Sequence, residues 1–330
     1  MLEHGGRVRC AAQRYGIALD QWLDVSTGVN PTSWCGIEVP QSAWARLPED
    51  DDGLLVAARS YFGTPHVLPV AGSQAAIMHL PRLRMPGSVG VLAPSYAEHA
   101  LRWQEAGHQV TTVRPAECSA AADVLDVLVL VNPNNPTGAR ITRTQVLEWH
   151  ARLAARGGWL IVDEAFADAD PSDSIACCTP REGLIALRSL GKFFGLAGAR
   201  VGFVLAAEAL LGRLKEILGP WTVAGPARFI AQHALADQPW HNAMRVQLQA
   251  QCARLTALLR GCGLPPAGGC SLFQWVPTAD AAAIHEMLAR EGILTRLFDA
   301  PSGLRFGLVA HDTEWARLGR ALGAYQRRRS

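Results

Sequence analysis

No stretch of this 330-residue chain is apolar over enough length to cross a bilayer, and its opening Met-Leu-Glu-His-Gly-Gly-Arg has no apolar leader core. A cytoplasmic protein that neither spans nor sits on a membrane is expected. Charge of one sign is lacking too: 31 basic against 29 acidic side chains leave a net +2, so no global field recruits nucleic acid. Repeats and low-complexity blocks are missing. The eight cysteines (Cys10, Cys35, Cys118, Cys177, Cys178, Cys252, Cys262 and Cys270) contain no Cys-x-x-Cys pair. No histidine cluster has zinc-ligand spacing, so no metal site is expected, and the scattered thiols suit a reducing compartment. A phosphate-binding P-loop fails around Gly191-Lys192, because Ala186 and Phe193 stand where that motif needs glycine and a hydroxyl residue.

The chain has apolar residues at 49 %, ample for a sizeable core, and a length suited to one large domain plus a smaller one. Short apolar runs at 89–93, 109–113, 127–131, 159–162, 184–187 and 201–205 read as strands. Helical patterns at 96–106, 142–156 and 208–218 alternate with them. That alternation predicts an α/β fold, a mostly parallel sheet with helices on both faces. After Pro220 a long helical stretch, then strands near 271–276, 293–297 and 304–308, predict a smaller α+β domain. The expected divisions are an arm over 1–40 packing with the small domain, a large domain over 41–220 and the small domain over 221–330.

Ligands of such sheets gather at the carboxyl ends of strands, and several chemistry-bearing segments fall there. Lys192 lies in Ser189-Leu-Gly-Lys192-Phe-Phe-Gly-Leu-Ala-Gly-Ala-Arg200. Apolar surroundings make an amine less basic and able to condense with an aldehyde, while the hydroxyl and guanidinium suit a phosphate. Gly72-Ser73-Gln74 opens a helical stretch, either as a plain capped start or as backbone N–H groups facing a phosphate. Asn135, in Asn132-Pro-Asn-Asn-Pro-Thr-Gly138, is placed in a rigid turn and could hydrogen-bond a ring oxygen. Asp163 ends the apolar strand Trp159–Val162, a costly place for a carboxylate unless it is paired. Tyr96 and His99 follow another strand, as core aromatic and surface histidine or as ring-stacking and carboxylate-orienting groups.

The order Gly-Ser, aromatic, Asn, Asp, then Ser-x-x-Lys with Arg resembles the fold-type-I pyridoxal-phosphate enzymes, the aspartate aminotransferase superfamily. The resemblance implies pyridoxal 5'-phosphate as cofactor, with Lys192, Asp163, Tyr96 and His99 as catalytic groups. It implies that Gly72, Ser73, Gln74, Tyr96, Asn135, Asp163, Ser189, Lys192 and Arg200 bind the cofactor. Asp163 would pair with the pyridine nitrogen. His4-Gly-Gly-Arg7 and Asp24-Val-Ser-Thr-Gly-Val-Asn30-Pro31 are similar to the opening of the cobalamin-pathway threonine-phosphate decarboxylases, near relatives of the histidinol-phosphate aminotransferases. Phe166, where many aminotransferases of the superfamily carry tyrosine, looks more like that decarboxylase branch. The implied activity is decarboxylation of L-threonine O-3-phosphate to aminopropanol phosphate, with an aminotransferase as the alternative and a non-catalytic scaffold as a remoter one. His4, Gly5, Asn30, Asn135, Arg296 and Arg305 would bind the phosphorylated amino-acid substrate, and the family usually works as a homodimer.

Overall fold

The structure is a computed structural model that describes residues 4–329. Its strands in chain order are β1 (Leu23–Asp24), β2 (Val67–Val70), β3 (Ser88–Leu92), β4 (Gln109–Val113), β5 (Val127–Val131), β6 (Trp159–Asp163) and β7 (Leu184–Ser189). There follow β8 (Gly202–Leu205), β9 (Gly268–Cys270), β10 (Phe273–Pro277), β11 (Ile293–Leu294), β12 (Arg296–Asp299) and β13 (Ser302–Gly307). Two compact units result. The larger comprises Ser33–Asn135 and Arg140–Ala243; the smaller comprises the residues up to Thr32, Pro136–Ala139, and those from Met244 onward.

The larger unit is built on a seven-stranded sheet of order β2-β8-β7-β6-β5-β3-β4. β8 runs antiparallel to both of its neighbours, and every other neighbouring pair is parallel. Continuous apolar runs such as Val127-Leu-Val-Leu-Val131 are what a strand buried on both faces demands, and all residues of β5, β6 and β7 are buried. On one face Val129, Ile161, Ile185, Leu187 and Val204 pack with Ile77, Leu80, Trp103 and Leu214 from the covering helices. Each such side chain contributes roughly 1.5–3 kcal/mol of burial.

This topology gathers one set of strand ends. β3, β5, β6 and β7 are parallel, so the turns after Leu92, Val131, Asp163 and Ser189 leave by the same edge. The register Ser189↔Gly202 and Val70↔Gly202 brings the turn after β2 to that edge as well. β2 is short, contains Pro69 and lies at the edge of the sheet, where a missing N–H costs least.

The smaller unit carries an antiparallel sheet β12-β13-β10-β9 and a parallel pair, β1 with β11. Helices Val8–Tyr15, Ala281–Arg290 and Asp312–Arg329 belong to it, giving an α+β unit. The strand expected over 293–297 is interrupted at Thr295, whose hydroxyl meets His285 Nδ1 at 2.7 Å. β11 pairs with β1, and β12 pairs with β13. Gly138, at φ +71°, could carry no side chain, because a Cβ there would lie 2.2 Å from the Gly269 backbone.

The units divide at 32/33 and 243/244, whereas divisions at 40/41 and 220/221 were expected from composition. Local contacts within the larger unit account for this. Trp34 donates its backbone N–H to Phe194 O at 2.8 Å and its indole N–H to Asp237 at 3.0 Å, tying down residues just after 32. Helix Gly225–Ala236 packs on Leu54–Phe62, and Gly225 approaches Ala43 so closely that a Cβ would lie 2.4 Å from its carbonyl.

Candidate active site

Asp163 stands at the end of β6, 4 % exposed, with both carboxylate oxygens engaged. Oδ1 accepts from the Ala165 N–H at 3.1 Å, and Oδ2 lies 2.9 Å from Nε2 of His99, itself buried in helix Glu98–Glu105. The Asp163 carbonyl accepts from the Asn132 N–H at 2.9 Å, locking the turn after β5 to the end of β6. That turn is held further by the Asn132 side chain, which bonds both the N–H and the carbonyl of Ile141, and by Asn134 Nδ2 donating to Pro94 O. The half-buried Asn135 follows.

Tyr96 sits beside this pair, its ring edge-on to His99 with centroids 6.1 Å apart. Its hydroxyl donates to Gln74 Oε1 at 3.2 Å, and Gln74 Nε2 donates to Glu98 at 2.7 Å. Arg102 closes the chain by donating Nε to the same Glu98 oxygen at 2.9 Å. Burial, aided by the nearby negative charges of Glu98 and Asp163, pushes the Tyr96 phenol up to about 12, against the opposing pull of Arg200. The phenol is therefore a neutral donor at physiological pH.

Lys192 lies in the loop after β7, half-buried, its Nζ 5.4 Å from the centre of the Phe166 ring. Only two lysines exist in the chain. The other, Lys215, is exposed and ion-paired with Asp50 at 2.7 Å. Ser189 ends β7, and its hydroxyl accepts from the Gly191 N–H at 3.3 Å. Arg200 adopts a left-handed backbone at φ 55°, uncommon for a residue with a side chain. It donates NH1 to Ala197 O at 3.0 Å. Its guanidinium lies over Gly72, where a Cβ would fall 2.7 Å from NH2. Gly202 is equally tight, because a Cβ there would lie 2.4 Å from the Ser73 nitrogen. Two glycines thus leave room for the Ser73 backbone nitrogen and the Arg200 guanidinium to approach the start of helix Ser73–His79. That is a donor set for an anion.

The larger unit therefore gathers Tyr96, His99 and Asp163 in one set of contacts, and Gly72, Ser73 and Arg200 in another, with Gln74 bonded to Tyr96. Asn135, Ser189 and Lys192 lie in the larger unit as well, whereas His4, Gly5, Asn30, Arg296 and Arg305 belong to the smaller unit. There Gly6 N–H donates to the Ser26 hydroxyl at 2.7 Å, and Gly5 lies against the Ser26 carbonyl. The same carbonyl accepts from Arg305 NH2 at 2.8 Å. Arg296 is the cross-strand partner of Arg305. Two guanidinia side by side repel one another, and an anion between such a pair relieves the repulsion. Burial and the Arg296 charge pull Arg305 down to about 10. Asn30 is buried, its Oδ1 accepting from the Thr32 N–H at 2.9 Å, and His4 is exposed.

Sequence reasoning missed the charged cluster behind Asp163. Arg188, one residue before the end of β7 and 3 % exposed, donates to Glu164 at 2.7 Å, to Ser174 at 2.9 Å and to Asp168. Tyr61 also donates to Asp168, at 2.9 Å, and Glu164 accepts from the Ile175 N–H at 2.7 Å. The available signal was an arginine inside the apolar run Leu184-Ile-Ala-Leu-Arg188, where only a paired charge is tolerable. Among the described residues no group of three or more His, Cys, Asp or Glu could hold a metal ion, and no helix is long and apolar enough to cross a membrane.

Comparison with known proteins agrees with this architecture. The sequence profile described as aminotransferase class I and II matches residues 54–319. A threonine-phosphate decarboxylase of Pseudomonas aeruginosa is 56 % identical over 322 residues, covering 98 % of this chain and 97 % of that protein. A threonine-phosphate decarboxylase of Sinorhizobium sp is 42 % identical over 326 residues, with 97 % of each chain covered. Among solved structures, a histidinol-phosphate aminotransferase of Sinorhizobium meliloti in complex with pyridoxal-5'-phosphate superposes with a TM-score of 0.86 at 20 % identity. It covers 100 % of this chain and 96 % of the other, a likeness of fold. The chain belongs to the aminotransferase class I and II family.

Proposed function

We propose that this protein is a pyridoxal 5'-phosphate enzyme that decarboxylates L-threonine O-3-phosphate, releasing CO₂ and (R)-1-amino-2-propanol phosphate for cobalamin synthesis. The observation that carries the reading is the half-buried Lys192 at the same sheet edge as the buried Asp163–His99 pair, in a chain 56 % identical to a threonine-phosphate decarboxylase. The donor set fits the cofactor: one amine for its aldehyde, one supported carboxylate for a ring nitrogen and an anion cradle for its phosphate. We further propose that the enzyme is a cytoplasmic homodimer.

In this reading Lys192 holds the cofactor covalently, and Ser73, Ser189 and Arg200 with the amides around Gly72 hold its phosphate. Asp163, fixed by His99 and the Ala165 N–H, keeps a proton on the pyridine nitrogen. Asn135 would donate to the ring oxygen, and Tyr96, held by Gln74, would stand against the ring. Phe166 offers no hydroxyl to that oxygen, a loss of roughly 0.5–1.5 kcal/mol for an ordinary hydrogen bond. When bound, the cofactor would supply an electron sink for the bond broken at the substrate's Cα. The chain's task is then orientation. His4, Gly5, Asn30, Asn135, Arg296 and Arg305 anchor the substrate's carboxylate and phosphate so that the bond to the carboxylate is the one that breaks.

The test is incubation of the purified holoenzyme with threonine phosphate, following CO₂. Stoichiometric CO₂ and aminopropanol phosphate are expected. Amino transfer from histidinol phosphate to 2-oxoglutarate, without CO₂, would assign the aminotransferase reaction instead.

A further inference from the structure

The larger unit carries a second reactive group outside the candidate active site. Cys177 and Cys178 are adjacent on the short turn Ala176–Cys178, the first exposed and the second half-buried. Their sulfurs turn to the same side and lie 3.8 Å apart.

That separation places both thiols within reach of a single bridging atom. A direct disulfide needs sulfurs at about 2.05 Å, far closer than observed. A single soft atom bonded to two thiolates at about 2.3 Å each, with a bond angle of roughly 90–110°, holds them ~3.3–3.8 Å apart. The observed 3.8 Å is the ordinary contact of two free thiols, and a one-atom bridge can close across it with little movement of either sulfur. A metal cage is unsuited, since no third or fourth protein ligand stands nearby among the described residues. The fitting occupant needs two sulfurs only and brings its remaining substituent with it.

The turn is also firmly placed. Ile175 N–H donates to Glu164 at 2.7 Å, Ala176 N–H to the Ser174 hydroxyl at 3.2 Å, and the Thr179 hydroxyl to Ala176 O at 2.7 Å. Arg143 pins the preceding loop by donating to Ser174 O at 2.8 Å and Ser172 O at 3.0 Å. Two thiols on a fixed turn lose little freedom when bridged, which favours chelation over attack by separate thiols.

We propose that Cys177 and Cys178 form a dithiol site that captures trivalent arsenicals of the form R–As=O. The exposed Cys177 attacks first and Cys178 closes the ring. Two S–H bonds and the As=O bond are replaced by two As–S bonds and one water, which carries away both protons. Arsenic remains trivalent and no oxidant or reductant is required.

The experiment treats the holoenzyme with phenylarsine oxide at one equivalent and reads the intact mass, then maps the adduct. Trypsin cutting after Arg156 and Arg181 yields peptide 157–181, which contains both cysteines and no other. One adduct per chain on that peptide is expected, stable to mercaptoethanol and removed by ethanedithiol. It should be lost in Cys177→Ser and in Cys178→Ser and retained in Cys252→Ser. An adduct mapping elsewhere, persisting in either of the first two serine variants, or displaced by the monothiol would overturn the proposal, as would absence of any adduct. The readout involves no turnover, so it stands apart from the assignment of the reaction.

Discussion

Replacing Arg188 by Met should be the most damaging single change to stability outside the candidate active site. The guanidinium is 3 % exposed, and its loss would leave Glu164 and Asp168, 0 % and 2 % exposed, as two buried carboxylates deprived of the cation they share. Their other supports include the Ser174 and Tyr61 hydroxyls and the Ile175 N–H, which solvate but do not neutralise. In the native protein, burial acts to lower the Arg188 pKa, but the charges of Asp168 and Glu164 outweigh it and hold it above its ordinary value. Breaking a buried pair by removing one partner costs about 3–5 kcal/mol. At roughly 2 °C per kcal/mol for a chain of this size, the melting temperature should fall by on the order of 6–10 °C. The assay is calorimetry of the holoenzyme at fixed protein and cofactor concentration, at pH 7.5 and at pH 5. The deficit should narrow at the lower pH. A buried carboxylate without its cation takes up a proton more readily, and protonation removes the charge that the variant cannot accommodate. Adding Glu164→Gln and Asp168→Asn should recover part of the loss. A fall under about 2 °C, or one that is the same at both pH values, would refute this account of the cluster.

Three further outcomes are expected. Asp163→Asn should lower the rate of CO₂ release about 100-fold or more while leaving the cofactor attached, read by turnover alongside the absorbance of the lysine-bound cofactor. Glu98→Ala should free the Gln74 amide and with it the Tyr96 hydroxyl, weakening cofactor retention on dialysis, whereas Glu98→Gln should restore most of it. Because the folded Tyr96 phenol titrates at about 12, above the ordinary value of 10, its contribution to stability is full below pH 10 and is lost as pH rises from 10 toward 12. Tyr96→Phe should therefore flatten the alkaline decline in melting temperature, and an unchanged slope would count against the burial argument.

The sequence made the centre of the large sheet readable, because strands buried on both faces must be apolar throughout, as Val127–Val131 and Trp159–Val162 are. It hid β2, whose four residues include a proline and draw their register from the antiparallel β8. It also hid helix Gly225–Ala236, which is rich in alanine and finds its place by packing on Leu54–Phe62. Among the candidate site residues, the residue types and their order along the chain were legible. Their partners were not: nothing local says that Glu98 orients Gln74, or that a glycine at 202 makes room for the Ser73 nitrogen. Such pairings come from sheet order, which brings Glu98 to Gln74 across 24 positions and Gly202 to Ser73 across more than a hundred.

The most direct check of the central claim is to reduce the holoenzyme with borohydride, digest it with trypsin and locate the cofactor by mass. With only two lysines in the chain, the outcome is unambiguous. The account predicts the adduct on Lys192, within an uncleaved peptide 189–200. An adduct on Lys215, or a catalytically active protein with no adduct at all, would contradict it.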